Sequence, residues 1–250
     1  MFKQIILGTV QGLTEFLPVS SSGHLVLFNN ILDAGGDVAL YTILHLGTVF
    51  AVCVYFYRDI IELLKDISRI KAVLLACFVT GVIAICFKDI FESLFSNIVY
   101  VATALMCNGI ILLLTRSFMQ KADKEKTGIV DALIMGVVQA LAVIPGISRS
   151  GATITALSVR GVKKEEAFRF SFVAAIPLIG GAFLMELKDL GSMSECVSFC
   201  IKYSVPAFTS FVTGLCSLKM LSYMINKSKF HIFGWYCIIV SIIVFILYLT

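Results

Sequence analysis

Gln11-Gly12-Leu13-Thr14-Glu15-Phe16-Leu17-Pro18-Val19-Ser20-Ser21-Ser22-Gly23-His24 is a polar, helix-breaking stretch in an apolar chain, and it has a partner 128 residues downstream. Ile6-Leu7-Gly8-Thr9-Val10-Gln11-Gly12-Leu13 aligns with Ile134-Met135-Gly136-Val137-Val138-Gln139-Ala140-Leu141, and five of the eight pairs are identical. Each copy breaks at a proline, Pro18 or Pro145, and enters a serine-glycine turn. The turns read Ser20-Ser21-Ser22-Gly23 and Ser148-Arg149-Ser150-Gly151. A repeat that keeps polar and helix-breaking residues inside apolar surroundings points to a duplicated half whose two turns meet in one site.

The surroundings are those of a membrane protein. The chain is 59% hydrophobic and 14% charged, with mean hydropathy +0.97. Soluble chains carry about 25% charged residues. The expected fold is therefore an all-α integral membrane protein, one polytopic domain over residues 1–250 with repeat halves near 1–120 and 128–250. Segments near 38–57, 70–88, 97–115, 168–187, 203–225 and 231–249 are apolar and about long enough to span a bilayer, which takes roughly 17–25 residues. Residues 4–17 with 22–32, and 129–144 with 151–160, are shorter and broken at proline. Each pair reads as a re-entrant helix hairpin with its turn at membrane depth, where protein or a watery cavity must surround the broken backbone. The first apolar run does not read as a cleavable signal, because Lys3 is a poor n-region and no small-residue cleavage pattern follows.

Charge placement gives an orientation. Segments 58–71, 116–127, 159–169 and 226–230 hold most of the Lys and Arg, and the proposed span order puts all four on one face, the cytoplasmic one. Both termini then lie outside. Three spans separate the hairpins, so the second half is inverted relative to the first, and the two turns approach from opposite faces. The formal charge of +4 is modest, and no nucleic-acid partner is expected. Most of the eight cysteines lie in apolar segments with no C-x-x-C pair or metal-ligand spacing, so they read as small packing residues. Cys196 and Cys200, spaced i,i+4, are poorly placed for a mutual disulfide.

The chemistry concentrates at the turns. Gln11 and Glu15 share a helix face, and Ser20, Ser21, Ser22 and His24 follow within a few residues. In the second copy Ser148, Ser150, Gly151 and Thr153 surround Arg149. Serine caps the following helix, whose free N–H groups favour an anion. Arginine offers a planar fork suited to phosphate. A structural ion pair between Glu15 and Arg149 is the plainer reading. Ionisable groups at membrane depth cost roughly 2.5–3.5 kcal/mol each on insertion scales, and such a pair needs no Ser, His and Gly around it. His45 reads mainly as a packing residue, His231 and Trp235 as interfacial, and Asp131 as a first-turn acid. The combination points to phosphoryl chemistry on a substrate with a lipid anchor.

At these residues the chain resembles the undecaprenyl-diphosphate phosphatase family, also called the bacitracin-resistance protein family. The motifs that carry the likeness are Gln11-x-x-x-Glu15, continuing through Pro18 and Ser20-Ser21-Ser22-Gly23-His24, and Pro145-Gly146-Ile147-Ser148-Arg149-Ser150-Gly151-Ala152-Thr153. The resemblance implies removal of the terminal phosphate of undecaprenyl diphosphate at the outer face of the bacterial cytoplasmic membrane, which recycles the carrier lipid for cell-wall synthesis and lowers bacitracin sensitivity. It also implies a catalytic set of Glu15, Ser21, His24 and Arg149. Gln11, Ser20, Ser148, Ser150, Gly151 and Thr153 would contact substrate. A divalent cation, Mg²⁺ or Ca²⁺, would be held by Glu15, waters and the diphosphate. The first motif position is glutamine here, where the family often has glutamate. The residues themselves leave the nucleophile open among Ser21, His24 and water, with Ser21 preferred, and leave a lipid flippase as the rival function.

Overall fold

The computed structural model describes residues 2–32, 38–95, 97–189 and 201–249, and every element named below lies within them. Among these residues the chain is helical, with one isolated bridge, Lys124 to Val162, outside the helices. The first helix, α1 (Phe2–Phe16), stops where Pro18 removes a donor and pushes Leu17 out of the helical region. Ser20 then takes a left-handed backbone, φ +69°, and α2 (Ser21–Leu32) begins. Next come α3 (Val38–Tyr55), a short α4 (Tyr57–Leu64), α5 (Ile67–Cys86), a short α6 (Lys88–Phe95) and α7 (Ile98–Met119). The second half starts with α8 (Ile129–Leu141) and α9 (Arg149–Val159), then α10 (Lys164–Asp189), α11 (Ser204–Asn226) and α12 (Ile232–Leu249).

The two short helix pairs of the repeat stand where the sequence places them. The expected basic loop 58–71 contains α4, which turns 75° away from α3 at Phe56, and α6 occupies most of the 88–96 segment. Among the described residues three helices, Ile67–Cys86, Ile98–Met119 and Ser204–Asn226, are long and apolar enough to cross a membrane, and a fourth follows if the bent α3–α4 pair counts as one span. Helix α10 is long, but it opens on Lys164-Glu165-Glu166 and carries Pro177. Cys196 and Cys200 lie outside the described residues.

Packing follows the repeat crosswise. Helix α1 lies along α11, and α8 lies along α5. Lipid tails are as apolar as leucine, so helices in a membrane associate through close backbone approach at small residues. A Cβ on Gly12 would meet the Ser210 carbonyl at 2.4 Å, and one on Gly8 would meet that of Pro206 at 2.5 Å. In the second half a Cβ on Gly136, the repeat counterpart of Gly8, would meet the Ala76 carbonyl at 2.8 Å. Helix α3 crosses both α10 and α11, and α7 pairs with α12. Phe16, Phe56, Phe168 and Phe172 form the aromatic centre of the core, with ring centroids 5.1–5.9 Å apart in successive contacts.

The basic segments gather at one end of the bundle. Arg69 pairs with Glu166. Asp131 is held by Lys124, by Arg160 at 3.1 Å and by the Gly128 amide at 2.9 Å. Arg169 reaches Asp59 at 3.4 Å, and Lys164 donates to the Asn226 carbonyl and to Ser228. Segments 58–71, 116–127, 159–169 and 226–230 therefore share one end, as their charge pattern predicts. Asp131, expected as a dipole-facing first-turn acid, is the hub of that ionic cluster.

Candidate active site

The two turns are tied together before any functional group is considered. The Ser20 Oγ accepts from Gly23 N at 3.3 Å and from Gly146 N at 3.1 Å, so it bridges the first turn to the second. These bonds, with the Ser20 carbonyl accepting from His24, hold a left-handed serine conformation that costs about 1–2 kcal/mol. Gly146 adopts φ +105°, and a Cβ there would meet the Val101 carbonyl at 2.5 Å, so the second turn requires glycine on both counts. Buried Asn108 of α7 braces both turns. Its Nδ2 donates to the Pro18 carbonyl at 3.0 Å, and its Oδ1 accepts from Ser148 N at 3.1 Å. Asn108 belongs to no motif, and its only signal in the sequence is an amide in an otherwise apolar span.

Glu15 is the centre of the arrangement. It lies buried in the last turn of α1, and its Oε2 accepts from Ser21 Oγ at 2.6 Å and from Gln11 Nε2 at 3.1 Å. Its Oε1 accepts from Arg149 Nη2 at 2.6 Å. Ser21 and Arg149 are the first residues of α2 and α9, which places both at positive helix ends. The Arg149 guanidinium also sits 6.0 Å from the Phe172 ring, and its buried Nη1 has no hydrogen-bond partner. A cavity of about 210 Å³ opens at this point, lined by Glu15, Ser21, Ser22, His45, Gln139, Ser148 and Arg149 together with apolar residues. It adjoins an apolar space of about 370 Å³ between α3, α5 and α10, with which it shares His45, Val143, Leu178 and Ile179.

Two histidines exchange the places expected of them. His24 is buried, and its Nδ1 donates to the Ser20 carbonyl at 2.8 Å. A carbonyl only accepts, so Nδ1 carries the proton and Nε2 accepts from Tyr236 Oη at 2.8 Å. His24 faces a separate apolar groove against α11 and α12, and it does not line the Glu15 cavity. His45 does line it. Its Nδ1 donates to the Tyr41 carbonyl at 2.8 Å, which turns Nε2 to within 3.7 Å of Glu15 Oε2.

The remaining expected site residues divide in the same way. Ser148 lines the cavity and caps α9, its Oγ accepting from Gly151 N at 3.2 Å. Ser150 donates to the Phe16 carbonyl at 2.9 Å, and Thr153 donates to the Arg149 carbonyl at 2.7 Å. Ser150, Gly151 and Thr153 are buried and stand behind the cavity rather than in its wall. Gln11 is fully buried behind Glu15, whereas its repeat counterpart Gln139 reaches the wall. The repeat itself was the signal for Gln139.

For a divalent cation the chemistry on offer is oxygen. Among the described residues no group of three His, Cys, Asp or Glu side chains converges. Glu15 supplies carboxylate, and the Oε1 atoms of Gln11 and Gln139 are buried without partners. Such hard neutral and anionic oxygens suit Mg²⁺ or Ca²⁺ when substrate and water complete the shell.

Comparison with known proteins gives a family. The family described as Bacitracin resistance protein BacA matches residues 4–243. A Methanococcus maripaludis strain C6 protein named undecaprenyl-diphosphatase is 37% identical, covering 97% of this chain and 98% of the relative. A protein of that name from Halothermothrix orenii is 40% identical, over 99% and 98%. A third, from Desulforapulum autotrophicum, is 37% identical, over 97% and 96%. The chain belongs to the bacitracin resistance protein BacA family.

Proposed function

We propose that this protein hydrolyses undecaprenyl diphosphate to undecaprenyl phosphate and inorganic phosphate in the bacterial cytoplasmic membrane, recycling the carrier lipid and conferring bacitracin resistance. One observation carries the reading at the site. Glu15 takes the Ser21 hydroxyl on one oxygen and the Arg149 guanidinium on the other, while Arg149 Nη1 is left without a partner. That is a nucleophile beside a base, with a phosphate-binding fork held in place and one arm free. The adjoining apolar space supports a prenyl tail leaving the polar cavity sideways between helices.

The step then runs as follows. Ser21 Oγ attacks the terminal phosphorus, and its proton passes to Glu15. The bond from that phosphorus to the bridging oxygen breaks, and the lipid monophosphate departs. Glu15 hands that proton on through His45 Nε2, and water then attacks the phosphoserine, its proton going to Glu15 and from there to the departing Ser21 Oγ. Inorganic phosphate leaves, and Ser21 Oγ recovers its hydrogen. Arg149 and the positive ends of α2 and α9 meet the charge on the equatorial oxygens. His45 Nε2, beside Glu15, is placed to relay the proton outward. A divalent cation bound with the diphosphate would supply further charge neutralisation. His24, with both ring nitrogens engaged, is assigned to holding Ser20.

We place six spans and two re-entrant hairpins in an inverted repeat, with the basic end cytoplasmic, both termini outside and the cavity open to the outer side. The crosswise packing of α1 on α11 and of α8 on α5 supports the inversion, and the gathered basic segments support the orientation. In a cysteine-free variant, cysteines at Gln120 and Ser228 should resist an impermeant thiol reagent outside intact cells, and one at Asp89 should react. Labelling at position 120 would overturn the topology.

Purified protein should release phosphate from prenyl diphosphates. The inverted arrangement also favours a second reading, transfer of the polyprenyl phosphate across the bilayer. Transbilayer movement in vesicles without phosphate release would select it.

A further inference from the structure

Gln139 is left unexplained by the chemistry above. It is 2% exposed, it lines the same cavity as Glu15 and Arg149, and it is the repeat counterpart of Gln11. Its Nε2 donates to Thr80 Oγ1 at 3.1 Å. That hydroxyl lies 2.8 Å from the Ala76 carbonyl and 2.9 Å from the Gly136 carbonyl, so its own proton is directed away from the amide. The amide is thereby oriented, and its Oε1 is buried with no donor.

Two orphaned atoms of opposite character thus belong to residues of one cavity wall, the donor Arg149 Nη1 and the acceptor Gln139 Oε1. A buried polar group without a partner costs about 1–3 kcal/mol. A fully ionised diphosphate would satisfy the donor, but it brings nothing for the acceptor. Charge points the same way. The charged residues of the wall are Glu15 and Arg149, which cancel. A diphosphate brings roughly two to three negative charges into that neutral, partly apolar chamber, and an uncompensated buried charge is strongly unfavourable. A divalent cation travelling with the diphosphate answers both demands.

We propose that Gln139 Oε1 is a protein ligand of that cation together with Glu15, so that the oxygen set is one carboxylate and one amide from opposite halves of the repeat. The proposal rests on the phosphatase reading and deepens it. It adds to Glu15 a second protein ligand, drawn from the second repeat.

The test uses purified full-length protein in detergent with Mn²⁺ as the probe, alone and with inorganic diphosphate, followed by electron paramagnetic resonance. Gln139→Leu should weaken Mn²⁺ binding at least tenfold, and Gln139→Glu should tighten it. Gln11→Leu should change it less than Gln139→Leu does. Unchanged Mn²⁺ affinity in Gln139→Leu overturns the proposal, including the case in which turnover alone falls and Gln139 serves an attacking water instead. If Gln139→Leu does not fold, Gln139→Glu decides: affinity equal to or weaker than wild type overturns it. Phosphate release by the wild type is assayed in parallel. Its absence would defeat the phosphatase reading, whereas normal release with unaltered Mn²⁺ binding in the variants would defeat only the assignment of Gln139.

Discussion

The two polar turns began as the same object and now do different work. Position for position, Ser21 stands where the second copy has Arg149, Glu15 where it has Val143, and His24 where it has Ala152. The backbone tasks are shared. Ser20 and Ser148 both support the helix that follows, and Gly23 and Gly146 approach closely enough that a Cβ on Gly23 would meet Gly146 Cα at 3.4 Å. The reactive groups are not shared. One copy keeps the hydroxyl and the carboxylate, and the other keeps the cation. A symmetric pair of turns would set like charges against each other in a buried site. The divergence puts Glu15 against Arg149 instead, at 2.6 Å, and leaves a cavity with one carboxylate and one guanidinium in its wall.

The sharpest way to break this division is at Ser21. Ser21→Ala should lower phosphate release by at least about a thousandfold in a folded protein. Phosphate trapped on the wild-type enzyme during turnover should be acid-stable and alkali-labile. Normal turnover in the variant would take the chemistry out of the first turn's serine.

The second copy is tested by keeping its charge and removing its fork. Arg149→Lys should stay membrane-inserted and lose at least tenfold in turnover, because one ammonium cannot hold Glu15 and a phosphate oxygen as the guanidinium does. A charge-deletion cycle sharpens the point. Arg149→Met alone leaves Glu15 buried and unpaired and should lose about 3–5 kcal/mol of stability. The double variant with Glu15→Gln should recover most of that loss in a thermal-unfolding assay, yet release no phosphate. Recovery of turnover along with stability would make the pair structural.

The brace between the turns comes next. Asn108→Leu strands the Ser148 amide, at about 1–3 kcal/mol, and leaves the Pro18 carbonyl only the weak Cys237 thiol donor at 3.6 Å. Lower thermal stability with a fall in kcat larger than any rise in KM is expected. An unchanged kcat would show that the turns need no brace.

The smallest effect belongs to Tyr236→Phe. It removes the donor to His24 Nε2, a bond contributing about 0.5–1.5 kcal/mol, and should reduce turnover less than about fivefold. Acid-labile phosphate trapped on the enzyme, absent from His24→Asn, would move the nucleophile to the imidazole and overturn its assignment as a support for Ser20.

Helical class, membrane character, the positions of both short helix pairs and the two motifs were legible in the sequence, since each rests on local order. Apolar runs make helices, proline ends them, and a serine before a glycine caps the next one. The repeat also announced that the two turns belong together, and Lys and Arg spacing announced the shared basic end. The direction of a side chain inside a polar turn was not legible. His24 lies nine residues from Glu15 in sequence, yet the Ser20 carbonyl and Tyr236 of a distant helix turn its ring away. His45 lies on a separate helix, and its bond to the Tyr41 carbonyl brings it to Glu15. The same holds for the two glutamines, identical in the repeat, of which only Gln139 reaches the cavity wall. Sequence alone set which groups a membrane protein keeps at depth, because burying them is costly and each one left there is informative. Tertiary packing decided which of them face one another, because that depends on close helix crossings at Gly8, Gly12 and Gly136 and on bonds between halves that no local pattern records.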